Sequence, residues 1–137
     1  MHHTCFTLTL DVDSDANVAV PGQVGSVFAG SGDRPHYEAA EWGTRRCLAL
    51  CAQRALSSVW FLEALTAGEL ARRGIDWNAF SSRAWCEIGC HGHSHEDFSG
   101  HVSGIALDRK HAARVVADST ALIEDLTGVR PRAFRAP

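Results

Sequence analysis

No stretch of this chain approaches the ~18 consecutive apolar residues that a membrane-spanning helix needs, which excludes the helical membrane class. Lysine and arginine form no stripe for nucleic acid and no basic cluster for a lipid surface: 13 basic residues lie scattered among 16 acidic ones, for a formal net charge of -3. Internal repeats and low-complexity tracts are also missing. The N-terminus enters a strand-like pattern directly, without the charged and apolar regions of a secretory signal, so the expectation is a cytoplasmic protein. Five cysteines, an odd number, suit a reducing compartment better than a disulfide framework.

What is there is a chain of 137 residues, 45% hydrophobic and 21% charged, the composition of one soluble globular domain or part of one. Two C-x3-C pairs, Cys47/Cys51 and Cys86/Cys90, invite comparison with a four-thiolate zinc site. Their settings point elsewhere. Cys47 and Cys51 share one face of a helical pattern, while Cys86, Ile88 and Cys90 alternate as the buried face of a strand does, so both pairs read as small core residues.

Along the chain, residues 5–12 alternate cleanly, with Phe6, Leu8, Leu10 and Val12 on one face and Thr7, Thr9 and Asp11 on the other, followed by Asp13. Asp11 and Asp13 therefore point the same way at the end of a strand, as a shared site or as the start of a polar turn. Residues 17–35 form a long connection with turn signals at Pro21-Gly22 and Gly30-Ser31-Gly32-Asp33, expected to overhang that strand end. A helix is predicted over 36–55 with Trp42, Cys47, Leu48, Cys51 and Ala55 inward and Arg45, Arg46 and Arg54 in water. A buried strand follows at 56–62, then a helix at 66–73 stopped by Gly74, and a short helix within 75–83 that turns Trp77 and Phe80 inward. The third strand spans 84–90. The strongest helix is 107–127, with Ala112, Val115, Val116, Ser119, Leu122, Ile123 and Leu126 as its stripe and Gly128 as its stop. A fourth strand begins at 132–135.

Directly after the third strand stands His91-Gly92-His93-Ser94-His95, three histidines in five residues. The outer pair, His91 and His95, is the best metal-binding candidate: two imidazoles leave room for a carboxylate and a water, the composition of a catalytic rather than a structural zinc site. A solvated polar loop without metal is the plain alternative, and His93 is a weaker third ligand candidate. His2, His3, His36, His101 and His111 read as surface residues. Strands alternating with helices imply βαβ crossovers and a parallel sheet, in which ligands sit beyond the strands' C-terminal ends. Asp11, Asp13, His91, His95 and Arg135 all fall at such ends.

Thr9-Leu10-Asp11-Val12-Asp13, the segment from Glu87 through the histidine cluster to His95, and Arg130-Pro131-Arg132-Ala133-Phe134-Arg135-Ala136-Pro137 resemble, in order, three motifs of the polysaccharide deacetylase (NodB-homology) family, and Ser58-Val59-Trp60-Phe61-Leu62 resembles its second strand. The resemblance implies a distorted (β/α) barrel that binds one divalent metal ion, zinc before other first-row ions, through Asp13, His91 and His95. It further implies Asp11 as general base and Arg135 as the residue that orients it. The activity implied is hydrolysis of N-acetyl groups on sugars or of other non-peptide C–N bonds, on a small-molecule or glycan substrate. Such chemistry suits the residues. An amide is a poor electrophile and water a poor nucleophile, and a Lewis acid addresses both while a carboxylate takes the proton.

Two departures from the family pattern stand out. Val12 separates the two acidic residues, which looks more like the branch that includes peptidoglycan deacetylases of atypical specificity and allantoinase-like amidohydrolases. The chain also ends at Pro137, short of a later histidine that serves the family as general acid, so it reads as about half of a barrel whose general form has ~250 residues. A truncated single domain over 1–137, with an open sheet edge and an uncovered apolar face, is the expectation, and a non-catalytic metal-binding fragment is the alternative reading.

Overall fold

In a computed structural model, the chain is described for residues 7–24, 26–28 and 37–137. Five strands and four helices follow in the order β1 (Leu8–Val12), β2 (Asn17–Val18), β3 (Val27–Phe28), α1 (Tyr37–Arg54), β4 (Ser58–Leu62), α2 (Ala64–Arg72), α3 (Trp77–Ser81), β5 (Cys86–Cys90) and α4 (Arg109–Thr127) among these residues. Cys5, Phe6, the turn at 30–33, His2, His3 and His36 lie outside the described residues.

The parallel sheet has the order β1-β4-β5, with Leu8–Val12 in register with Ser58–Leu62 and these with Cys86–Cys90. Phe134 adds a parallel bridge to Cys90, closed by Cys90 N–H donating to the Ala133 carbonyl and Arg135 N–H donating to the Cys90 carbonyl. The strand expected at 132–135 is thus one bridge long within the described residues. Because side chains alternate, one face of the sheet carries Val12, Trp60, Leu62, Ile88 and Cys90, and against it pack Cys51 of α1, Ala67 and Leu70 of α2, Trp77 and Phe80 of α3 and Ile123 of α4. Helices and sheet make a partial parallel (β/α) barrel.

Local chemistry explains the helix ends. Asp108 caps α4 by accepting from His111 N–H, and Gly128 closes it at φ 69°. Gly74, at φ 87°, ends the turn after α2, where Ile75 N–H donates to the Leu70 carbonyl. Trp77 is buried and donates its indole N–H to the Ala67 carbonyl, so α3 is pinned to α2 by one polar bond inside an apolar contact.

Four expectations need correction. Trp42 is 66% exposed, with Arg46 over its ring, because the buried stripe of α1 runs through Ala40, Thr44, Cys47, Leu48 and Cys51, and position 42 lies on the opposite side. Ala55 is exposed in a left-handed conformation at φ 50°, where Leu56 N–H reaches back to the Cys51 carbonyl and ends the helix. The connection after β1 is not all coil: β2 and β3 pair antiparallel across it. The second sheet face is not apolar either, since it presents Thr9, Asp11 and Glu87 to solvent and its large ring, Phe61, is 8% exposed.

The cysteines behave as core residues. Cys47, Cys51, Cys86 and Cys90 are free thiols, with Cys51 and Cys90 buried, and burial pushes the Cys86 thiol up to about 12, with Cys51 and Glu87 adding to the rise. A thiol held protonated is a poor metal ligand. Among the described residues no helix is long and apolar enough to cross a membrane.

Candidate metal centre

The site lies at the C-terminal rim of the sheet, where β1 and β5 deliver their last residues. Asp13 follows β1 directly, and its Oδ2 is 3.5 Å from Nε2 of both His91 and His95. One ligand atom from each of the three falls within 4.8 Å of the others, the one such group among the described residues. The two imidazoles stand edge to face, 5.7 Å between ring centres. His91 first and His95 second hold the Asp13 carboxyl well below the usual carboxylate range, against the upward push of partial burial. Asp13 in turn raises the pKa of His95, opposed by burial, and the buried Glu63 adds to the rise.

His91 is the most enclosed of the three, 4% exposed. Its Nδ1 lies 3.0 Å from the Arg135 carbonyl, which accepts from the ring and so turns Nε2 toward Asp13. His95 sits at φ 60°, a backbone state that side-chain-bearing residues seldom take, and Gly92 is at φ 83°. Two left-handed residues in four reverse the chain tightly enough to return the second imidazole beside the first.

Arg135 also works with its side chain. Its Nη1 donates to Asp11 Oδ1 at 2.6 Å, its Nη2 donates to Thr9 Oγ1 at 2.9 Å, and the guanidinium lies over the Phe61 ring. Asp11 and Asp13, two apart on one strand end, therefore hold different partners, Arg135 for the first and the two histidines for the second. Through its carbonyl and its side chain Arg135 touches both halves. His93 stays outside the triad, and its buried Nδ1 has no hydrogen-bond partner among the described residues. His111 pairs with Asp108 at the start of α4, and His101 is exposed.

Several residues here escaped the reading of the sequence. Glu96, 6% exposed, accepts from the backbone N–H groups of His93 and Ser94 and from the Ser94 hydroxyl. Glu63, fully buried at the end of β4, accepts from the Thr66 hydroxyl, which also bonds Ser14 beside Asp13. Glu96 has a legible signal, an acid directly beside a histidine cluster, whereas Glu63, a lone acid between a buried strand and a helix, has none. The long connection does overhang the rim: Ser26 Oγ donates to Ser94 Oγ, and Gly22 N–H to the Ser103 carbonyl.

The donor set, two imidazole nitrogens and one ionised carboxylate oxygen converging from two strand ends, fits a divalent ion of the zinc type.

No protein-family model and no curated protein matches the sequence. Solved structures do match. The wild-type CE4 family pseudoenzyme of Bacillus anthracis superposes with a TM-score of 0.57 at 18% identity, over 71% of this chain and 31% of that one. A protein of Mycobacterium smegmatis assigned as a polysaccharide deacetylase gives 0.55 at 24% identity, over 69% and 30%. A structure described as T48 deacetylase with substrate gives 0.52 at 19% identity, over 97% of this chain and 49% of that one. The fold is an incomplete barrel of the polysaccharide deacetylase type. This chain spans less than half the length of each of these structures.

Proposed function

We propose that this chain carries the metal-holding part of a hydrolase acting on non-peptide C–N bonds, with N-acetylated sugars as the substrate class. The observation that carries the reading is the convergence of Asp13, His91 and His95 beside the Arg135–Asp11 pair at one strand rim. Asp13, His91 and His95 would hold a divalent ion, zinc before other first-row ions. When bound, such an ion polarises an amide carbonyl and makes a neighbouring water easier to deprotonate.

The chain's own residues do the remaining work. Arg135 locks the Asp11 carboxylate by its Oδ1, so that Oδ2 is the oxygen that takes a proton from the attacking water. The same residue's carbonyl holds the His91 ring in the orientation a ligand needs. A small-molecule or glycan substrate is the partner in this reading, and the free thiols of Cys47, Cys51, Cys86 and Cys90 among the described residues suit a cytoplasmic setting.

Two further readings have their own support. The Asp-x-Asp spacing favours an allantoinase-like amidohydrolase. A CE4 pseudoenzyme among the similar structures supports a chain without turnover, one that would still hold a metal ion through Asp13, His91 and His95. Calorimetric titration with zinc, followed by amide-hydrolysis assays on chitooligosaccharide and allantoin panels, separates all three. The metal reading requires one zinc ion per chain and its loss in a His91→Ala/His95→Ala double variant; unchanged affinity in that variant ends it. Turnover of a chitooligosaccharide supports deacetylation, allantoin turnover supports the second reading, and zinc binding with neither supports the third.

A further inference from the structure

The loop from His91 to His95 is held by hydrogen bonds on two sides. Its carbonyls at Gly92 and His93 accept from the first N–H groups of α2, those of Ala64 and Leu65, at 3.1 and 3.0 Å. Its inner N–H groups face Glu96. His93 N–H donates to Glu96 Oε2 and Ser94 N–H to Oε1, each at 3.0 Å, and the Ser94 hydroxyl adds a third bond to Oε1. One carboxylate thus spans two consecutive peptide units, one oxygen to each. The fit is close: a Cβ at Gly92 would stand 2.8 Å from Glu96 Oε2, so a side chain there would displace the carboxylate from its place, and the φ of 83° itself favours glycine. Glu96 is 6% exposed, and a buried carboxylate is retained only when its oxygens are satisfied, which this loop does.

We propose that Glu96 is the positioning residue of the histidine clamp. By bracing the loop between the two imidazoles it sets the separation and angle at which His91 Nε2 and His95 Nε2 meet Asp13. This inference rests on the metal reading above. Glu96 touches neither the ion nor the substrate and acts through the backbone at 93–94.

Three variants of the full chain test it: Glu96→Gln, which offers a donor where one N–H needs an acceptor; Glu96→Ala, which removes the brace; and Glu96→Asp, which keeps the charge on an arm too short to span both peptide units. Each is titrated with zinc by calorimetry, and each is loaded to saturation with cobalt(II) for its visible absorption spectrum, which reports ligand geometry independently of activity and of fold stability. Zinc affinity about 10–100-fold below the parent in all three, with shifted cobalt bands, is the expected result, in line with the loss seen when outer-shell partners of metal ligands are removed. Parental affinity and spectrum in Glu96→Asp and Glu96→Gln overturn the proposal even if Glu96→Ala fails to fold. Absence of zinc binding in the parent chain is a different result, and it overturns the metal reading itself.

Discussion

The guanidinium carbon of Arg135 lies 4.2 Å from the centre of the Phe61 ring. Phe61 stands in one row of the sheet between Asp11 on β1 and Gly89 on β5. The ring covers the space that a side chain at position 89 would need, and the cation rests on the ring while reaching across to Asp11. A cation over an aromatic face is stabilised by about 0.5–2 kcal/mol and loses rotamer freedom, so the ring orients the arginine that orients the acid.

Gly89 should therefore not tolerate even a methyl group. A Cβ there would meet Phe61 Cδ1 at 2.6 Å, and the rigid ring can yield only by leaving Arg135. Gly89→Ala is expected to cost about 1–3 kcal/mol, measured by urea denaturation.

Arg135→Lys should split metal binding from turnover. The contact to His91 comes from the backbone carbonyl of residue 135 and survives, so zinc affinity stays near the parental value. Lysine cannot reproduce the forked contact to Asp11 and Thr9, and kcat/KM on a substrate identified in the panels should fall by about 100-fold.

Ala55 is exposed with φ 50° at the end of α1, where its Cβ opposes the left-handed state that the closing hydrogen bond imposes. Ala55→Gly should stabilise the fold by about 1 kcal/mol, seen as a higher midpoint in denaturant with an unchanged slope.

Asp97 is the group through which acid should loosen the loop after the histidines. Its two oxygens accept from N–H groups of Gly100, His101, Val102 and Ser103 and from the hydroxyls of Ser99 and Ser103. These bonds, the one from Ser103 N–H foremost, hold its carboxyl well below the usual range. A carboxyl depressed in the folded state stabilises above its unfolded pKa, and that contribution is lost as pH falls through the folded value. Acid unfolding followed by circular dichroism should show the parent losing stability below the ordinary aspartate range, while Asp97→Asn, already weaker at neutral pH, loses less there.

Much of this was legible in the sequence, because it depends on local periodicity. Alternation in β1 placed Leu8, Leu10 and Val12 on the helix side, and the stripe of α4 and its Gly128 stop follow from the helical repeat alone. His91, His95 and the Asp11-Val12-Asp13 spacing could be read as rim residues because ligands collect beyond the C-terminal ends of parallel strands. Trp42 reads as inward in the sequence and lies outward in the fold, since an aromatic residue in a helix looks like core until the neighbouring elements choose a face.

The sequence by itself determined the parallel α/β architecture, the order of its main elements and the strand-end positions of Asp11, Asp13, His91, His95 and Arg135, since side-chain period and capping act within a few residues. Only the tertiary structure decided that Asp13 faces both histidines, that Arg135 serves Asp11 with its side chain and His91 with its carbonyl, and that Glu96 braces the clamp. Asp11 and Arg135 are 124 positions apart, and contacts at that separation are set by strand register and loop closure, which no local pattern encodes.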